Sequence, residues 1–127
     1  MPIQLNHTIV AAKDQEESAR FLSEMLGLGE PKHFGPFTIV EVDNGVSLDF
    51  LTSDEEFEIQ HYAFLISDDE FDTIFGRIKA RGIQYWADPA RSQPGEIYTH
   101  FGGRGVYFED PSGHYLEVMT KPYPVDG

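Results

Sequence analysis

The chain has no cysteine, which excludes disulfides, thiolate metal sites and a cysteine nucleophile, and fits a reducing compartment. It is also short of positive charge: nine Lys and Arg stand against 22 Asp and Glu, for a formal net charge of −13. Such a surface repels nucleic-acid phosphates and anionic membranes, so neither is an expected partner. The acid either solvates the surface or sets up a field that draws a cation or a basic ligand. No run approaches the roughly 18 apolar residues of a membrane span. The opening Met1-Pro2-Ile3-Gln4-Leu5-Asn6-His7 lacks the basic-then-apolar order of a secretory leader, and a cytoplasmic protein is expected. What is present is a core: hydrophobic residues make up 40% of the 127 positions, with ten Phe and six Tyr, enough for one domain covering 1–127.

The chain repeats itself. His7-Thr8-Ile9-Val10-Ala11-Ala12-Lys13-Asp14 has the form of His61-Tyr62-Ala63-Phe64-Leu65-Ile66-Ser67-Asp68: a His, an apolar run, then Asp seven positions on. Each reads as a strand ending in a helix N-cap, with Asp14 and Asp68 as the caps. Helical spacing follows over Glu16 to Leu26 (Phe21, Leu22, Met25) and Glu70 to Arg81 (Phe71, Ile74, Phe75, Ile78), each closed by a glycine, Gly27 and Gly82. The ends match as well: Gly45-Val46-Ser47-Leu48-Asp49-Phe50-Leu51-Thr52 parallels Gly113-His114-Tyr115-Leu116-Glu117-Val118-Met119-Thr120. A turn and an apolar run precede each glycine, so each half closes on a hairpin. The expected class is α+β, two βαβββ modules at about 1–56 and 57–127.

His7 to Asp49 spans 42 positions and His61 to Glu117 spans 56. The surplus fits the Gly/Pro/Arg-rich stretch from Asp88 to Gly95, a loop running toward Gly102-Gly103. Alternation along a strand puts His7 with Ile9 and Ala11, His61 with Ala63 and Leu65, Asp49 with Ser47 and Leu51, and Glu117 with Tyr115 and Met119. The intervening large apolar residues belong to the helix-covered face. One His and one acid per half therefore look away from the core. Two imidazoles and one or two carboxylates without thiolate suit Fe(II), Mn(II), Co(II), Ni(II) or Zn(II) with positions left open for a small-molecule substrate. The expected metal ligands are His7, His61 and Glu117.

At this point the chain resembles the vicinal oxygen chelate superfamily, which includes glyoxalase I, fosfomycin-resistance proteins, extradiol dioxygenases and bleomycin-resistance proteins. The resemblance covers the whole length and is sharpest over Gly105-Val106-Tyr107-Phe108-Glu109-Asp110-Pro111-Ser112-Gly113-His114-Tyr115-Leu116-Glu117, similar to the family's closing hairpin with its ligand glutamate. It implies a half-open, cup-shaped mixed sheet with helices outside, a homodimer that in some members exchanges modules, a divalent metal cofactor, and glyoxalase- or dioxygenase-type enzymology: isomerase, lyase or dioxygenase. Asp49 falls where glyoxalase I has a ligand and base, one methylene shorter here. It is expected to act beside Glu117 as a fourth ligand, a base working through water, or an outer hydrogen-bond partner.

Tyr107 matches a substrate-contacting tyrosine of the fosfomycin-resistance proteins, and Tyr115 shares the Glu117 face; each lines the site or is a packed aromatic. His100 and Arg104, beside Gly102-Gly103, are candidate proton or anion contacts or else surface residues. His33 and His114 read as turn residues without a role, and Tyr85-Trp86 as an edge-strand pair. The alternative function is metal-free sequestration of a cationic antibiotic such as bleomycin, supported by the net charge and these aromatics.

Overall fold

A computed structural model describes residues 2–125. The chain divides into two compact units, Met1–Glu58 and Ile59–Gly127. Unit 1 runs β1 (His7–Ala12), α1 (Gln15–Leu26), β2 (Lys32–Phe34), β3 (Phe37–Glu41) and β4 (Ser47–Thr52). Unit 2 runs β5 (His61–Leu65), α2 (Asp68–Ala80), β6 (Tyr85–Trp86), β7 (Gly105–Glu109) and β8 (Tyr115–Met119). Each unit is thus βαβββ, and each has a four-stranded mixed sheet, ordered β1-β4-β3-β2 in one and β5-β8-β7-β6 in the other.

The first strand of each unit pairs in parallel with the last, which then pairs antiparallel with the third. A parallel neighbour requires a crossover, and the helix supplies it. The hairpin before the last strand closes the same way in both units. Val42 N–H donates to the Val46 carbonyl at 2.9 Å and Asp110 N–H to that of His114 at 3.0 Å. Gly45 (φ 85°) and Gly113 (φ 95°) make the bend, a conformation that costs a side-chain-bearing residue about 1–2 kcal/mol.

Local chemistry starts each helix differently. In unit 1 the Asp14 carboxylate accepts from the Glu16 and Glu17 amides, as expected. In unit 2 the cap is Ser67, one residue before the expected Asp68. Ser67 and Glu70 form a capping box, hydroxyl to the Glu70 amide at 3.1 Å and carboxylate back to the Ser67 amide at 2.9 Å. The reciprocal box satisfies the amides of both Ser67 and Glu70, and Asp68 becomes the first helical residue.

The cores lie on one face of each sheet. Val10, Ala12, Val40, Leu48 and Phe50 are buried with Leu22 and Met25 of α1; Val106, Phe108, Leu116 and Val118 are buried, as are Phe71, Ile74 and Ile78 of α2. The opposite strand positions carry the candidate site.

His33 and His114 correct the sequence reading. His33 lies in β2, its Nε2 2.7 Å from the Glu16 carboxylate. Hydrogen bonds from Thr38 and then His33 hold that carboxyl below its ordinary range. His114 is at the turn but buried, its Nδ1 accepting the Gln60 amide at 2.9 Å. A buried ring nitrogen there finds its partner in a backbone amide.

Candidate metal centre

Both sheets hold a His and an acid in one register. His7 lies opposite Ser47 and Asp49 opposite Ile9; His61 lies opposite Tyr115 and Glu117 opposite Ala63. Each acid is therefore two residues along its strand from the partner of the His, on the same face, because two steps restore the side-chain direction. On its other side Glu117 faces Tyr107 of β7, which in turn faces Trp86. Asp49 faces Ile39.

Glu117 is fully buried. Its Oε1 lies 2.9 Å from His61 Nε2, the Tyr98 hydroxyl donates to Oε2, and the Tyr123 hydroxyl sits 2.9 Å from both oxygens. Tyr107 reaches Tyr123 with hydroxyls 3.4 Å apart. Burial, and then the hydrogen bond to Glu117, raise the Tyr98 phenol far above its ordinary value, so it remains a donor. Burial raises Tyr107 in the same way. Among the described residues no lysine or arginine bonds Glu117, and His61 is the one partner that can carry positive charge; burying a carboxylate away from water is costly unless such a charge pairs with it.

The residues fit a divalent cation. An imidazole nitrogen and a carboxylate oxygen stand side by side, both ligand atoms for borderline ions, and a cation held by the two would bring positive charge to the buried carboxylate. Among the described residues no three His, Cys, Asp or Glu side chains are gathered at one metal position, so unit 2 by itself offers this pair.

Aromatic rings surround the pair. His61 and Tyr107 have centroids 5.4 Å apart, Tyr107 and Tyr98 6.0 Å, and Tyr98 stacks on His100 at 5.0 Å and 12°. The series continues through Phe101 to Tyr123 at 5.8 Å per step. Phe101 is held at φ 60° while half-exposed, and strain of this kind clusters at ligand sites.

The other expected residues fall as follows. His7 is exposed, with Nδ1 2.7 Å from the Asn6 amide oxygen. Asp49 is buried, and Ser47 donates to it at 2.8 Å. Tyr115 shares the His61 row, and the Arg91 guanidinium lies 4.9 Å over its ring. Arg104 turns to the helix, bonding Asp68 at 3.1 Å and Asp72 at 2.8 Å and covering Phe71 at 4.5 Å. Its guanidinium thereby joins the start of β7 to the acidic first turn of α2, so it is occupied away from Glu117.

Sequence reading missed Tyr98, Tyr123 and Arg91. Tyr98 and Arg91 come from the surplus stretch of unit 2, and Tyr123 from the tail after β8. Arg91 pairs with Glu109 and lies 4.9 Å over Trp86. No spacing rule points to these residues, because each arrives where an irregular segment returns to the sheet.

A family model for the Glyoxalase/Bleomycin resistance protein/Dioxygenase superfamily matches residues 4–118. Glutathione transferase FosA of Serratia marcescens is 28% identical over 120 residues, which is 90% of this chain and 78% of that protein. Among solved structures, Oxidase ChaP-H1 is 58% identical with a TM-score of 0.95, over 98% of this chain and 100% of that one. FosX, a fosfomycin resistance protein of Listeria monocytogenes, shares the fold at 24% identity and TM-score 0.71, over 99% of this chain and 97% of its own. With the repeated unit, its register and the match over nearly the whole length together, this chain belongs to the Glyoxalase/Bleomycin resistance protein/Dioxygenase superfamily.

Proposed function

We propose that the protein is a metal-dependent oxidase or dioxygenase acting on a small molecule that binds through two neighbouring oxygens, with His7, His61 and Glu117 as metal ligands. The observation that carries this reading is the buried Glu117 carboxylate beside His61 Nε2 at 2.9 Å without a lysine or arginine on it. His7 joins the set because it holds in the sheet of unit 1 the register position that His61 holds in the sheet of unit 2. Oxidation is preferred to isomerase or lyase chemistry because ChaP-H1, an oxidase, shares 58% identity, against 28% for the FosA transferase.

A bound Fe(II), Mn(II), Co(II), Ni(II) or Zn(II) ion would polarise the two substrate oxygens as a Lewis acid, and a redox-active one would couple substrate oxidation to dioxygen. The chain's own residues have distinct tasks. His61 and Glu117 bind; Tyr98 and Tyr123 hold the carboxylate. Tyr107, whose hydroxyl lies 3.4 Å from that of Tyr123, is the phenol that would meet a substrate oxygen. The exposed rings of His100 and Phe101 suit a flat, unsaturated substrate body. Asp49, whose partner is Ser47, serves as a base or an outer hydrogen-bond group. The two units act as modules of one domain in a cytoplasmic homodimer, by analogy with the family. Sequestration of a cationic antibiotic is the weaker reading, since it gives no use to a buried Glu117 carboxylate paired with the partly exposed His61 imidazole.

Protein purified without chelator and supplied anaerobically with Fe(II) or Mn(II) is expected to hold close to one ion per chain by elemental analysis. His61→Ala should remove it. Full metal occupancy in that variant would overturn the ligand set, and an absence of binding in the unaltered protein would overturn the reading.

A further inference from the structure

Tyr98 belongs to no strand and is 7% exposed. Two backbone hydrogen bonds fix it to the first residue of β7: Tyr98 N–H to the Gly105 carbonyl at 2.9 Å, and Gly105 N–H to the Tyr98 carbonyl at 3.0 Å. Its ring lies on the place where a Cβ of residue 105 would be, so any side chain there would run into the phenol. Gly105 is not among the residues with positive φ. Space, not backbone freedom, is what requires glycine at this position. Past that gap the hydroxyl reaches Oε2 of Glu117, while Oε1 faces His61; the Tyr123 hydroxyl lies 2.9 Å from both oxygens, so Tyr98 is the contact that tells them apart.

Resting on the metal-centre reading above, we propose that Tyr98 is a positioning residue that engages one oxygen of Glu117 so that the carboxylate offers the other to the metal, and that Gly105 is the gap through which it acts. A carboxylate free to rotate offers a cation one oxygen or both; with Oε2 engaged, it offers one. A coordination position that a two-oxygen grip would consume is then left for substrate. Outer partners of this kind orient ligands, and their loss typically weakens metal binding by about 10–100-fold. Among the described residues of unit 1 no tyrosine plays this part: Asp49 is held by Ser47 of its own strand.

The test is calorimetric titration of Mn(II) into the full-length protein, Tyr98→Phe, Gly105→Ala and the double variant, with melting measured on metal-free samples. Tyr98→Phe removes one oxygen and keeps the ring, so metal-free melting should drop only by what one hydrogen bond to a buried carboxylate contributes, while Mn(II) binding weakens by about 10–100-fold. Gly105→Ala should weaken binding similarly by displacing the phenol. The double variant should stay within about twofold of the weaker single, because both remove one contact and cannot add. The visible spectrum of the Co(II) form should also change in Tyr98→Phe, reporting an altered ligand grip. An unchanged spectrum with Mn(II) affinity within about twofold of the unaltered protein would overturn the proposal while leaving the metal centre standing. So would lower metal-free melting with affinity intact, the sign of a merely structural tyrosine. If the unaltered protein fails to bind Mn(II), Fe(II) and Co(II), the metal-centre reading itself falls, and this inference with it.

Discussion

Asp49 and Glu117 occupy the same place in two copies of one folding unit, yet their surroundings have little in common. Asp49 stands between Ile9 and Ile39 and takes one hydrogen bond, from Ser47 two residues away. Glu117 stands between Ala63 and Tyr107 and is met by His61, Tyr98 and Tyr123. Register alone therefore sets where an acid points and does not set what it can do. The difference enters through segments outside the repeat: the loop of unit 2 delivers Tyr98 and the tail delivers Tyr123.

If the copies share a scaffold and differ in decoration, their cores should respond alike. Phe50→Ala and Phe108→Ala, both at almost fully buried positions, should each cost about 3–5 kcal/mol in urea unfolding; a large imbalance would mean the scaffolds are not equivalent. The faces should respond unlike. Glu117→Gln is expected to weaken Mn(II) binding by more than the roughly 100-fold of a lost outer partner, and Asp49→Asn by less than about 10-fold. Equal losses would put Asp49 among the ligands and break the contrast.

The helix starts give a smaller contrast. Ser67→Ala removes one arm of a capping box and Asp14→Ala a cap that serves two amides; each should cost about 0.5–2 kcal/mol by thermal melting. The smallest expected effect is on acid stability. Glu70 is held below its ordinary value of 4.5, chiefly by the Ser67 amide, and Asp72 below 3.8 by Arg104. A carboxyl depressed in the folded state contributes stability that is complete above its ordinary value and lost as pH falls through the lower folded value. Melting followed from about pH 5 to pH 3 should therefore fall less steeply in Glu70→Gln than in the unaltered protein, and an identical slope would remove Glu70 as a contributor.

Much of this was legible in the residues because it is local and occurs twice. A His, an apolar run, an N-cap and a Gly-x-x-Leu-acid ending are patterns of backbone preference and alternation, and a second copy confirms each. Reading failed where two local solutions compete, as at Ser67 and Asp68, where the Glu70 carboxylate decides the cap. At Arg104 the sequence left an anion contact and a surface residue both open, and the guanidinium bonds Asp68 and Asp72 of α2.

By itself the sequence determined the βαβββ unit, its duplication, and the His and acid at matching places in each copy, since strand and helix periodicity need only neighbours along the chain. Tertiary structure alone decided that Glu117 is enclosed by phenols and that Gly105 must stay bare. Tyr98 meets a carboxylate 19 positions away, and such a meeting depends on where an irregular loop comes back to the sheet, for which no short-range preference exists.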